Sequence, residues 1–412
     1  MAMSAPDRVP ENAILDYLQR LITSKKGLPH GEPVCVMVSH TVNDAATLIR
    51  LVSEIGPHIA LLQVQADIID DWSDHVVDQL TYFAKRHGFI LWEGSRMLNN
   101  TVNFMGRGSA DWETSKGMAD LITRKYTHGP TKPARWANMA NSWAPGVPCD
   151  EQEKDVLIPT LRRAAREAVA KTVKTIQTEI SAEESDDIYN DEEVTFSPPS
   201  SNGWHEFSPT MGSSLRKSST ISVTETTTLQ PHIQPEDGVP PPPLLARGLT
   251  LCLPNAIDTA FTYEFRQSTI VAACANPDFV LGLLTSEPFF PNDTGNDILE
   301  LAFTDGSGGS NMRNGSNPLT TSPYLEKDNL MGLFSLLPFD YSKEFESDPS
   351  FNMDGDHSSD TQPLSVTKLF YIIGRAAAQR AKSRKERQAS NGHPKSPSAG
   401  PRILQVPIAI LP

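Results

Sequence analysis

The sequence predicts an α/β protein built on a closed parallel barrel that is interrupted by long irregular insertions. Three observations lead there. Short apolar, β-prone runs alternate along the chain with amphipathic helical segments, an order that sets parallel strands side by side with helices outside. Polar residues gather at the C-terminal ends of those runs, as in Ile59-Ala-Leu-Leu-Gln-Val-Gln-Ala-Asp67 and Phe89-Ile-Leu-Trp-Glu-Gly-Ser-Arg-Met-Leu-Asn-Asn100, and strand C-termini are where such barrels keep their working groups. The chain has 412 residues, 33 prolines and 38% hydrophobic content, which suits a barrel of about 250 residues with unstructured additions better than one uninterrupted body.

Residues 1–11 form a polar, flexible lead without the apolar core of a signal peptide. Residues 12–178 make the first part of the barrel. Ile14, Leu15, Leu18, Leu21 and Ile22 share one helical face, with Asn12 as its cap. Pro33–Ser39 is the first strand, and Asn43 or Asp44 opens a helix over Ala45–Ile55. The run beginning at Ile59 is the second strand. The helix Asp74–His87 follows with Val76, Val77, Leu80, Phe83 and Ala84 on one side, and Phe89–Trp92 is the third strand. Helical potential returns near Lys116–Lys125. The fourth strand is read at Ala134–Met139, and a long helix from about Asp150 to Thr178 tolerates Pro159 in its first turns.

Residues 179–243 break the pattern. Eight acidic residues and no basic one lie between Glu179 and Glu193, and Ser/Thr/Pro-rich sequence runs on to Pro240–Pro243. Such a segment buries too little apolar area to offset its ordering entropy, so it reads as a disordered insertion ending in a stiff proline run. Residues 244–388 make the second part of the barrel: strands at Leu244–Leu253, Phe279–Leu284, Leu330–Leu337 and Lys368–Gly374, a helix at Thr262–Ala275, and a basic helix at Arg375–Gln388. The stretches 292–318 and 340–363 are linker-like. Residues 389–412 form a tail whose apolar end, Ile403–Leu411, tucks onto the barrel.

A net charge of −14 disfavours nucleic acid and anionic membrane surfaces as partners. No run approaches the roughly 20 apolar residues of a spanning helix, so a cytoplasmic protein is expected. Cys35, Cys149, Cys252 and Cys274 have no metal-type spacing, and two of them sit in apolar strand-like runs, as reduced core thiols do. His40, His58 and His75 form no ligand pattern, and neither a metal nor a cofactor is expected.

The stretch Gly56-Pro-His-Ile-Ala-Leu-Leu-Gln-Val-Gln-Ala-Asp-Ile-Ile69 resembles the Gly-Pro-x-Ile-x-Leu-Leu-Lys-Thr-His-x-Asp-Ile motif of the orotidine 5'-monophosphate decarboxylase family, its fungal branch especially. Phe89–Val102 resembles that family's third-strand motif, and Trp136–Asn141, Pro277–Gly282 and Ile373–Arg375 echo three further motifs in the same order. The resemblance implies a TIM-type (β/α)8 barrel in pyrimidine biosynthesis, a dimer whose site straddles the subunit interface, and a Lys-Asp-Lys-Asp network that protonates a ring carbanion.

Carried over position by position, those catalytic places hold substitutes. The first lysine falls on Gln63, the first aspartate of the third-strand motif on Gly94, the proton-donating lysine on Arg96 and the last aspartate on Asn99. The loop is two residues shorter than the family's. A guanidinium with a pKa of ~12 or more is a poor proton donor. Ser39 stands at the ribose-binding aspartate, and Asn255–Thr259 replaces the pyrimidine-recognition segment. Asp67, Arg96, Asn100, Thr101, Gly374 and Arg375 are the candidate substrate-binding residues, with Gly374-Arg375 carried over as a phosphate contact after strand eight. The bland alternatives are a solvated loop position for Asp67, loop-fixing roles for Asn100 and Asn141, and a solvated basic face for Arg380, Lys382, Arg384, Lys385 and Arg387. The expectation is a pseudoenzyme. Its partners would be a phosphorylated nucleotide resembling the monophosphate of uridine or orotidine and, through the inherited dimer face, a second copy or an authentic decarboxylase. The competing expectation is a working decarboxylase, on orotidine 5'-phosphate or another acid, with a rebuilt site.

Overall fold

The computed structural model describes residues 12–94, 112–173, 235, 238–255, 260–286, 330–347, 362–390 and 402–412. Eight parallel strands pair in chain order and close into a barrel. They are β1 Cys35–Val38, β2 Leu61–Val64, β3 Ile90–Glu93, β4 Met139–Trp143, β5 Gly248–Cys252, β6 Val280–Thr285, β7 Leu330–Leu336 and β8 Arg402–Leu411. The helices are α1 Ala13–Ser24, α2 Ala45–Ile55, α3 Asp74–His87, α4 Trp112–Thr127, α5 Pro133–Trp136, α6 Leu157–Val173, α7 Tyr263–Ala275, α8 Asp340–Ser347 and α9 Leu364–Ser390. The expected (β/α)8 architecture is therefore present.

Local chemistry starts the helices where the sequence places them. Asn12 Oδ1 accepts from the amides of Ile14 (3.1 Å) and Leu15 (3.4 Å), Asp44 Oδ1 from Thr47 (2.8 Å), and Thr262 Oγ1 from Phe265 (3.2 Å). Each oxygen satisfies an amide that the first helical turn leaves without a partner. Asp155 does the same for α6, accepting from Leu157 (2.8 Å) and Ile158 (3.3 Å).

α1 covers the N-terminal end of the barrel. Its Ile14, Leu15, Tyr17, Leu18 and Leu21 cluster with the inward-facing Cys35, Leu61, Ile90, Trp92, Met139, Leu281, Phe334, Val406 and Ile408. The Tyr17 hydroxyl donates to the carbonyls of Gly88 (2.9 Å) and Pro240 (3.0 Å). Outward residues of β1–β3 pack on α2, α3 and α9, and those of β5–β7 on α4, α6 and α7. Each fully buried Leu or Ile in these layers stabilises the fold by roughly 1.5–3 kcal/mol.

The largest difference from expectation concerns strand eight. Lys368–Gly374 is helical, inside α9, and the closing strand is the apolar end of the expected tail, Arg402–Leu411. β8 pairs with β7 from Leu330↔Arg402 to Leu336↔Ile408 and with β1 from Cys35↔Ile408 to Val38↔Leu411. Val366, Leu369, Ile372, Ile373 and Ala376 of α9 are buried at helical spacing; a short apolar run alone does not separate a strand from a buried helix face. Pro407 weakens the strand reading of 402–411, because proline lacks the N–H a ladder uses. α9 packs against both α2 and α8 although it precedes β8 in the chain.

Smaller differences have similar causes. The expected fourth strand at Ala134–Met139 begins as α5, with Pro133 at its first turn, and β4 starts only at Met139. The 340–363 linker opens with α8, whose Tyr341 and Phe345 are buried. The proline run at the end of the expected insertion is held on the barrel: Asn138 Nδ2 donates to the Pro243 carbonyl (3.0 Å). None of the four cysteines is in a disulfide, and Cys35 and Cys252 are buried. Among the described residues, no helix is long and apolar enough to cross a membrane.

Candidate functional site

Side chains alternate along a strand, so the inward register set by the core cluster extends to the C-terminal strand ends. Gln63 and Gln65 continue the inward side of β2, Gly94 that of β3, Asn141 and Trp143 that of β4, and Thr250 and Cys252 that of β5. The contacts agree. Gln65 Nε2 lies 3.9 Å from Met37 Sδ. A Cβ on Gly94 would sit 3.0 Å from Gln65 Cγ and at an ordinary 3.7 Å from Gln63 Cγ, so the glycine leaves room for Gln65.

Among the described residues named above, this layer is polar yet uncharged. It contains amides, a hydroxyl, an indole and a thiol, and none of its named members is Lys, Arg, Asp or Glu. Gln63, Trp92, Asn141 and Thr250 are all buried. Among the described residues, Gln63 Oε1, Gln65 Oε1, Trp92 Nε1 and Thr250 Oγ1 have no hydrogen-bond partner. A buried polar atom left unsatisfied costs about 1–3 kcal/mol, so their concentration on adjoining strands marks a place where a neutral polar group would be stabilised.

Asn141 fits with its amide nitrogen donating to the carbonyls of Glu93 (3.3 Å) and Gly94 (2.9 Å). Its amide oxygen then faces Cys252 Sγ at 3.8 Å. Burial pushes the Cys252 thiol up to about 12, which keeps it a neutral S–H donor. At the rim, Trp143 stacks on Phe261 (4.8 Å between ring centroids), and Phe261 on Phe265 (5.4 Å). Glu93, the carboxylate of β3, belongs to the outward set and is buried away from this layer.

The other candidates fall in different places. Asp67 is exposed in the turn Ala66–Ile68 just after β2. Ser39 Oγ accepts from the Thr41 amide (3.3 Å) and hydroxyl (3.1 Å), closing a local turn. Arg96, Asn99, Asn100 and Thr101 lie outside the described residues. Gly374 and Arg375 are in the middle of α9 instead of following a strand: Gly374 packs beside His30, in the turn before β1, and Arg375 pairs with Glu344 of α8 at 2.8 Å. Thr250, Cys252 and Trp143 join the layer without having been singled out in the sequence; the alternation Thr250-Leu251-Cys252 was the only signal for two of them. Asn141, read as a loop-fixing residue, lies inside the barrel on β4. Among the described residues, no group of three or more His, Cys, Asp or Glu is placed to hold a metal.

The structure is a closed (β/α)8 barrel with a polar inner layer at the strand C-termini, and the layer members named above among the described residues carry no charge. No family model matches the chain. It is similar to orotidine 5'-phosphate decarboxylase of Aureobasidium pullulans, 28% identical over 129 residues (31% of this chain, 38% of that protein). It is likewise 30% identical to the Torulaspora delbrueckii enzyme over 118 residues (28% and 37%), and 25% identical to uridine 5'-monophosphate synthase of Bos taurus over 142 residues (34% and 26%). The chain is thus similar, at low identity, to orotidine 5'-phosphate decarboxylases and uridine 5'-monophosphate synthase, and it matches about a quarter to two-fifths of these proteins' own length.

Proposed function

We propose that the chain is a catalytically silent decarboxylase-like barrel that binds at most a nucleotide or serves as a subunit partner. The observation that carries this reading is Gln63: a buried neutral amide on β2 stands where the resemblance expects a lysine, with Gly94 opposite where it expects an aspartate. Preorganised charge in a dry pocket supplies most of the acceleration in such a site. An amide neither gives a proton to a carbanion nor builds that field. What the layer offers instead is hydrogen bonding to uncharged groups, such as the carbonyl and N–H edges of a pyrimidine ring.

The test is release of carbon dioxide from orotidine 5'-monophosphate by the purified chain, together with complementation of a uracil-requiring strain. No turnover above the uncatalysed background is expected. Turnover at an ordinary enzymatic rate would establish the competing reading, a working decarboxylase with a rebuilt site. A thermal shift with uridine 5'-monophosphate separates a nucleotide binder from a scaffold, and co-purification with an authentic decarboxylase tests the mixed dimer.

A further inference from the structure

At the opposite end of the barrel from that layer, outside its wall, lies a cavity of about 280 Å³. It is formed where residues preceding β5 and β6 meet the C-terminal half of α6. One wall is apolar, made by Ala165, Val169, Leu245 and Phe279. Leu245 is one of the few large apolar side chains exposed among the described residues, at 53%. The rest is cationic, with Arg162, Arg166 and Arg247 around a single carboxylate, Asp278.

Three guanidinium charges against one carboxylate leave a local excess of positive charge in a chain whose net charge is −14. Asp278 is shared by Arg162 (2.9 Å) and Arg166 (3.4 Å). Arg162 Nη2 also donates to Asn276 Oδ1 at 2.6 Å, while its buried Nε–H has no acceptor among the described residues. Arg247 is held differently. Its Nε–H donates to the Ala134 carbonyl (2.9 Å), Nη1 to those of Leu244 (2.6 Å) and Ala246 (2.9 Å), and Nη2 to that of Arg135 (3.0 Å). Carbonyls fix the guanidinium plane without neutralising it, and no carboxylate among the described residues pairs with it. Burial draws its pKa down from the ordinary value, the direction expected of a desolvated cation lacking a counter-charge.

We propose that this cavity binds a small organic phosphate, its dianion on the arginines and its carbon body on the Leu245–Phe279 wall. Guanidinium forks match phosphate oxygens in geometry and charge, and the volume lies at the small end of ligand pockets. The site is separate from the barrel mouth and does not depend on what the mouth binds.

Calorimetric titration of the full chain with phenyl phosphate, against inorganic phosphate and benzoate, tests it. Phenyl phosphate should bind most tightly of the three. Arg166→Gln, at an exposed position that leaves the fold intact, should weaken it about five- to tenfold, and Asp278→Asn should tighten it by removing the competing carboxylate. No binding of phenyl phosphate at millimolar concentration overturns the proposal. So does binding that neither substitution moves, which would place the ligand elsewhere, or an order in which inorganic phosphate binds as tightly as the aryl ester.

Discussion

Gln63 and Gly94 fit each other and their surroundings, and that fit limits what single reversions can do. Gln63→Lys puts an ammonium among neutral groups, with no carboxylate among the described members of the layer named above, where desolvation lowers a lysine's pKa. The expected cost is on the order of 2–4 kcal/mol near neutral pH. A depressed lysine is most costly where it must stay charged. Denaturation of variant and parent should therefore show the deficit shrinking as pH rises toward ~10. Gly94→Asp brings its Cβ to 3.0 Å from Gln65 Cγ, so Gln65 must move; the expected result of the pair Gln63→Lys/Gly94→Asp is still no carbon dioxide from orotidine 5'-monophosphate. Asp155 gives a second prediction. Burial raises it to about 6, against the Leu157 and Ile158 amides and Arg162, which favour its charged form. With the folded pKa above the unfolded one, the native state holds the extra proton between about pH 4 and pH 6, so stability falls as pH rises through that window and levels off above it. Asp155→Asn keeps the cap acceptor and removes the charge. Relative to the parent it should gain on the order of 2–3 kcal/mol between pH 4 and pH 8 in chemical denaturation. Both glutamines' neutrality was legible in the sequence, whereas the exposure of Thr250 and Cys252 to the same space depended on the register of β5 against β4.

Among the elements, α9 and β8 carry the clearest consequences. The Arg375–Glu344 pair is half exposed on both sides, and such pairs contribute about 0–1 kcal/mol. Arg375→Ala should therefore change stability little and leave any thermal shift with uridine 5'-monophosphate intact. Loss of that shift would return Arg375 to the ligand site. β6 and β7 approach closely through the Gly282↔Gly332 pair, with Gly282 at φ 153°, and a Cβ at Gly282 would enter the Gly332 backbone. Gly282→Ala should abolish cooperative folding, read as loss of the thermal transition. The helix cap at Asn12, and that at Asp44 as one of two residues read there, were legible because capping is decided within one turn of chain. The exchange of α9 for β8 was not, since Leu369–Ile373 is apolar in either conformation and the choice rests on which neighbours bury it.

For the whole molecule, the expectation is a stable barrel without decarboxylase turnover, and the carbon dioxide assay reads it directly. On the proposed reading, barrel architecture and chemistry separate in this chain, as fold and function generally can. From the sequence alone came the β/α alternation, the kinship suggested by Gly56–Ile69 and Phe89–Val102, the acidic balance of the chain and the loss of the lysine at Gln63. These are properties of composition, period and residue identity, and each is written within a few consecutive residues. Only the tertiary structure decided that Arg402–Leu411 closes the ring, that Arg375 lies in mid-helix and not just after a strand, and that Arg162, Arg166 and Arg247 share one cavity. Those outcomes depend on side chains brought together from distant parts of the chain, and no local pattern records which strand or helix will bury a given apolar run.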